Sequence, residues 1–360
     1  MTVLLISIYI LICLLIMLYT VFYALSLRSQ SKLQSDLTAD FSKSLGELPL
    51  DDLSNQKWKA LIKRVASDGR NINRLYCYDA ALQTYTQDEK WAEIYFSQMV
   101  DSYVKLADYY HNHSIKERVY FIQHVAQYAR FIPNRQLFEQ LIAFMNRKNV
   151  IERESVLQAL YGYGDISLIK QAFQLITSKN KFHHSKLIAD GLLKVTIPND
   201  ELADLLWQDF SSYPESIQIG IVKYIQGVSD NYKERFFHYL ENGEGSLDVR
   251  LNMLRYFHTH PYQPLYPQLL SLLKGTNGDA VQYRELAAFT LAAYPSEQTV
   301  EELKRALKDC EWYVRVNASK SLVALNVPMQ QLVEILNGDD RYAREMLAYQ
   351  LAEMEGNHGE

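Results

Sequence analysis

Apolar residues follow two different patterns along this chain. From Val3 to Leu27 (VLLISIYILICLLIMLYTVFYALSL) they form one run without a charge, a glycine or a proline. As a helix the run spans about 37 Å, against about 30 Å of bilayer hydrocarbon, and so predicts a transmembrane helix over 1–27. It is longer than the apolar core of a signal peptide and lacks a basic leader, while Tyr19 and Tyr23 suit a membrane interface. Arg28, Lys32 and Lys43 follow the run and no basic side chain precedes it, which predicts a single-pass cell-membrane protein with the rest of the chain in the cytoplasm. Residues 28–56 are polar and contain Gly46 and Pro49, the mark of a short helical extension and then a linker. Beyond them the pattern becomes one of short amphipathic segments with helical period.

Those segments repeat. EWYVRVNASKSLVAL around Arg315 has shifted copies around Arg344, Arg284 and Arg250, and fainter ones at Arg153, Ser185 and Gln218, so that the anchor recurs every 29 to 34 residues. Three residues after each anchor stands Val156, Ile188, Ile221, Met253, Ala287, Ala318 or Leu347. Seven after it stands Leu160, Leu192, Ile225, Phe257, Leu291, Leu322 or Leu351. Both rows are apolar throughout, which is one face of a helix. A second apolar helix precedes each copy (TVEELKRALKD, MQQLVEILNG), with Asp, Gly or Asn in the turn, as at Gly338-Asp339-Asp340 and Asn277-Gly278-Asp279. Two helices per ~30 residues mark an α-solenoid. The expected fold is therefore all-α, an α-solenoid of about seven to nine helix pairs over 57–356 behind the N-terminal helix. The repeats are clearest over 247–352; Arg118 heads an eighth copy and 57–105 supplies degenerate capping pairs.

The repeat resembles the HEAT family, including its lyase-type HEAT-like units, over about residues 110–355. That resemblance implies an inter-repeat ladder built from an Asp before the turn and an Arg six residues later. Asp309 and Arg315 match it, whereas Arg250, Arg284 and Arg344 keep only the Arg, with Glu244, Gly278 and Gly338 in the Asp place. It further implies that the Arg row is structural. The layout is similar to bacterial membrane-anchored HEAT-repeat proteins that accompany membrane glycosyltransferases of surface-polysaccharide synthesis, which implies a membrane-associated protein partner of that kind. Other HEAT-like proteins are bilin lyases or DNA glycosylases, so an enzyme subunit is the competing expectation. A third is an extracellular tethered binding module, which needs cleavage after Ala24 or an inverted anchor.

Composition narrows these choices. Hydrophobic residues are 48% and charged residues 22%, the balance of a folded chain, and the net charge is −5. Residues 28–150 carry +3 and residues 151–360 carry −8, which opposes nucleic acid as a partner. The most basic stretch, Lys57 to Arg74, is either a solvated helix face or a patch for anionic headgroups. Cys13, Cys77 and Cys310 build neither a disulfide framework nor a metal knuckle. The 26 tyrosines suit either an interface or a core whose hydroxyls reach polar partners.

Searching for chemistry yields no phosphate loop, nucleophile elbow or zinc helix. The histidine pairs 111/113, 183/184 and 258/260 lack the further ligands a metal needs. The acidic pairs 51/52, 301/302 and 339/340 suit helix starts and turns. No catalytic residue, cofactor or metal is expected, and the chain reads as a non-enzymatic scaffold. Partner binding is expected on the exposed row five residues past the anchors, where Lys223, Arg255, Phe289, Lys320 and Tyr349 combine cations with aromatics.

Overall fold

The computed structural model describes the backbone of residues 2–275 and 280–357, with side chains throughout except at 2–11, 13, 14, 24–27, 29, 30 and 355–357. All regular structure among the described residues is helical. The chain divides into two compact units, Met1–Leu175 and Ile176–Glu360.

The first unit opens with α1 (Thr2–Gly46), followed by α2 (Gln56–Asp68), α3 (Ile72–Tyr85), α4 (Glu89–His111), α5 (Ile115–Tyr128), α6 (Arg135–Phe144) and α7 (Val150–Tyr163). Helix α8 (Ile166–Ser178) runs across the division. Helix starts follow from capping: Asn71, Asp88, Asn134 and Asn149 each accept from the first free backbone N–H groups. Ser114 and Glu117 form a reciprocal capping box on α5. Helix α7 ends on Gly164 at φ +83°, a left-handed position that suits glycine. Odd helices pack side by side as α1–α3–α5–α7, and even ones as α2–α4–α6.

The second unit continues the alternation with α9 (Ser185–Leu192), α10 (Asn199–Trp207), α11 (Glu215–Val228), α12 (Lys233–Glu241), α13 (Leu247–Thr259), α14 (Tyr266–Lys274), α15 (Val281–Thr290), α16 (Glu297–Ala306), α17 (Trp312–Ala324), α18 (Met329–Leu336) and α19 (Arg341–Asn357). Each odd helix from α9 to α19 packs on the next odd one, and each from α11 on also packs on the even helix before it. Each unit is thus a two-layer stack of helix pairs, the construction of an α-solenoid. Every anchor lies on an odd helix. All seven side chains three residues past an anchor have no exposed surface, and of those seven past only Leu351 is more than marginally exposed. That double row is the odd helices' repeated contribution to the core.

At the N-terminus the structure corrects the expectation. Among the described residues no helix is long and apolar enough to cross a membrane. The single-pass anchor at 1–27, and the cell-membrane, cytoplasm-facing location drawn from it, are therefore withdrawn. Much of 3–27 lies outside the residues whose side chains are described. The continuous described stretch, Leu15–Tyr23, is exposed and falls short of the roughly 20 residues a span requires. The expected linker over 28–56 is helical as far as Gly46, and Phe41, Leu45 and Leu48 are buried, with α1 packed on α3. The Tyr85 hydroxyl donates to Ser42 O at 2.8 Å, and a Cβ at Gly46 would lie 2.7 Å from that hydroxyl.

Tyrosines tie the stack. Tyr110 donates to Gly69 O at 2.6 Å, Tyr224 to Asn199 Oδ1 at 3.1 Å and Tyr232 to Asp204 Oδ1 at 2.8 Å. The Tyr256 hydroxyl accepts from Tyr232 N–H and that of Tyr294 from Tyr262 N–H. Each ring fills core while its hydroxyl satisfies backbone or side chain of a neighbouring element, the wet-hydroxyl use of the residue. Burial pushes the Tyr256 phenol up to about 12.

One polar cluster lies inside the first unit. Asp79 accepts from His124 Nδ1 at 3.0 Å and from Tyr128 at 2.8 Å, and His124 Nε2 meets the Tyr103 hydroxyl at 2.8 Å. Burial opposes the Asp79 charge, yet the bonds from His124, Tyr128 and Tyr120 outweigh it and hold the carboxyl below its usual range. A second buried tie joins Arg118 (side chain 7% exposed) to Glu152 (1%).

Three outcomes follow. In α11, a Cβ on Gly220 would come 2.7 Å from Ile188 Cβ, so Gly220→Ala lowers stability by about 1–3 kcal/mol. Gly227→Ala in the same helix meets nothing within 4 Å and raises it by about 0.5–1 kcal/mol; urea unfolding compares the two. Glu152→Gln costs about 3–5 kcal/mol by leaving the buried guanidinium uncompensated, and Arg118→Leu/Glu152→Leu together cost less than Glu152→Gln alone. Because the folded pKa of Asp79 lies below its unfolded value near 4, its contribution is complete above about pH 4 and lost as pH falls through the folded pKa. Asp79→Asn should therefore flatten that acid limb in pH-dependent thermal melts.

Candidate partner-binding site

The odd helices carry both the anchors and the expected contact row. Arg284 and Arg118 show what an anchor does. The Nε and Nη2 edge of Arg284 grips both oxygens of Asp309, at 3.2 and 3.4 Å. Arg118 holds Glu152 with the same edge, and gives Nη1 to His113 O at the turn before its own helix. Arg250 gives Nη1 to Gly243 O at 2.6 Å and Nε to Tyr283 at 2.7 Å. In each case the acceptor on the next repeat stands one or six residues before the next anchor.

The ladder therefore differs from the one expected. Asp309 serves Arg284 of the preceding repeat with its carboxylate, while Arg315 takes only main-chain oxygens, Asp309 O at 2.6 Å and Cys310 O at 3.2 Å. Arg344 bonds Gly338 O at 2.8 Å. Gly278 lies outside the described residues.

Of the five expected contact residues, the structure brings two pairs together and leaves one apart. Lys320 and Tyr349 line a groove of about 600 Å³ between α17 and α19, with Trp312, Arg315, Val316, Tyr342 and Met346. Trp312, Tyr342 and Tyr349 are 52%, 67% and 63% exposed, and the Arg315 guanidinium lies 5.3 Å from the Tyr342 ring centre. Arg255 and Phe289 line a second groove of about 450 Å³ on α13, α15 and α17, with His258 and Asn317. Phe289 is half-buried rather than exposed, stacked 3.9 Å from His258, whose imidazole burial holds below its ordinary pKa. Lys223 joins neither groove and donates to Ser185 at 3.2 Å.

Trp312 and Tyr342 were missed in sequence because they precede their anchors by three and two residues, outside the row that was followed. The available signal was the i, i+4, i+8 stripe Trp312, Val316, Lys320, which one helix face must share.

Away from the grooves, Asp79, His124 and Tyr103 form a hydrogen-bonded chain in which Tyr103 is 1% exposed and burial drives its phenol pKa upward. No group of three or more His, Cys, Asp or Glu among the described residues is placed to hold a metal. The histidines of the pairs serve separately: His113 Nδ1 meets Tyr109 O, His184 caps α9 and His260 stacks on Tyr256. Asp340 caps α19 and Asp52 holds a turn, whereas Glu301 and Glu302 lie inside α16 and form ion pairs.

No curated protein matches the chain. Residues 266–352, from α14 into α19, match the family model described as HEAT repeats, and this stretch of the chain, which forms the whole of the larger groove but its last lining residue, is a HEAT-repeat array.

Proposed function

We propose that the chain is a non-catalytic scaffold that captures a protein partner on the odd-helix face of its second unit, chiefly in the α17–α19 groove. One observation carries the reading: three large aromatics, each more than half exposed, stand around a cleft that also holds Arg315 and Lys320. Exposed Trp, Tyr and Arg gathered at a concavity are the residues that dominate protein-binding energy. HEAT repeats are generally protein-interaction scaffolds, which supports the same class. The net −8 of residues 151–360 disfavours a phosphate backbone as occupant. A membrane glycosyltransferase has no support as the partner, since among the described residues no helix is long and apolar enough to cross a membrane.

In-cell crosslinking followed by mass spectrometry of the tagged full chain tests this. Recovery of one abundant protein, reduced about tenfold or more by Trp312→Ser with Tyr349→Ser, is the expected result, since interface aromatics each carry about 2 kcal/mol or more. A partner retained undiminished by that double variant places binding elsewhere on the molecule.

A further inference from the structure

The scaffold reading leaves open what chemistry the α17–α19 groove selects, and Arg315 answers it. Arg118 and Arg284 share one arrangement: Nε and Nη2 hold a carboxylate of the next repeat, Glu152 or Asp309. Arg315 has only half of it. Its Nη1 is bound to the carbonyls of Asp309 and Cys310, but its buried Nε has no hydrogen-bond partner among the described residues. The sequence shows why. The carboxylate stands one residue before the anchor at Glu152 and six before it at Asp309, and in the next repeat these places hold Ala343 and Gly338.

What replaces the missing acceptor is the Tyr342 ring, which at 67% exposure is held by little else. The same guanidinium lines the groove. Two cations, Arg315 and Lys320, and two carboxylates, Glu345 and Glu353, line the groove, and it is the arrangement of these charges that favours an anion at Arg315. Lys320 forms no ion pair among the described residues, and Glu345 is already tied to Arg341 at 2.7 Å. Glu353 lies eleven residues beyond Tyr342 on α19, about 16 Å along the helix.

We propose that the groove recognises an acidic peptide segment of the partner, whose Asp or Glu carboxylate displaces Tyr342 and seats on the Nε/Nη2 edge of Arg315, with Lys320 beside it and an apolar neighbour between Trp312 and Tyr349. The partner thereby supplies the rung that the next repeat lacks. A guanidinium edge presents two parallel donors that match a carboxylate, so an amide isostere is a poor substitute. This rests on the scaffold reading and sharpens it.

The test is selection of a random dodecapeptide display library on the full chain, with the winners synthesised in acidic and amide forms. Winners should carry Asp or Glu beside an apolar residue and weaken about 10- to 100-fold when that residue becomes Asn or Gln, the loss of a charge-assisted contact. Ala343→Glu, which mirrors Glu152 and supplies the carboxylate from within, should weaken them to the same degree, with a cooperative thermal melt showing that this variant at a buried position is folded. Winners that need Trp312 and Tyr349 but ignore both the amide change and Ala343→Glu overturn the carboxylate assignment and leave the groove standing. Winners indifferent to Trp312→Ser with Tyr349→Ser, or no winner at all, bring down the groove as well.

Discussion

A single helix pair of this chain cannot bury its own apolar face, and everything else in the structure depends on that. The residues three and seven past each anchor lie on helices that pack against neighbouring odd helices and, from α11 on, against the even helix before them, and all but Leu351 are buried. At roughly 25 cal/mol per Å² of apolar surface, this face-to-face burial is the term that stacks the array. Stacking then brings backbone ends and charged side chains of adjacent repeats into the same dry seam, where an unpaired polar group costs about 1–3 kcal/mol. Arginine to carboxylate, tyrosine to carbonyl and tyrosine to amide are three solutions to that one cost. Gly220 marks one place where the requirement is tight, since a Cβ there would lie 2.7 Å from Ile188 Cβ of α9.

The core was legible because it needs only an apolar residue at two fixed offsets, a requirement a single sequence displays. The anchor row and the alternation of helices followed from the same periodicity. The ladder was half legible. Its arginines recur at fixed spacing, but their acceptors alternate between two places before the next anchor, and only the fold reveals that Asp309 faces backward to Arg284. The N-terminal run misled, since apolar length was read as a membrane span while α1 passes through residue 27 as one helix and ends packed on α3. In the groove, Lys320 and Tyr349 were legible from the row five residues past the anchors, whereas Trp312 and Tyr342 precede their anchors by three and two residues and fall outside that row. Phe289 was placed on the right helix, but its burial by His258 is a contact between repeats and leaves no trace in local pattern.

The same economy explains why sequence likeness is confined to part of the chain. Rows that accept any apolar residue let repeats diverge while the stack persists, so a family pattern is matched over 266–352 and the construction continues before it, through α9 to α13 and, in the first unit, from α1 to α7. Function occupies what the core leaves free. The tie that closes a seam with Asp309 in one repeat becomes, where glycine and alanine replace the acceptor, a guanidinium facing the Tyr342 ring with its Nε unpaired among the described residues.

Neighbour-only packing also shapes how the chain reaches this state. The polar ties join residues from 21 apart, Tyr103 with His124, to 49 apart, Asp79 with Tyr128. Contacts of such modest sequence separation ask for short loop closures however many repeats are added, so contact order falls as the array lengthens. Folding in such an array starts at whichever pair closes first and spreads to its neighbours.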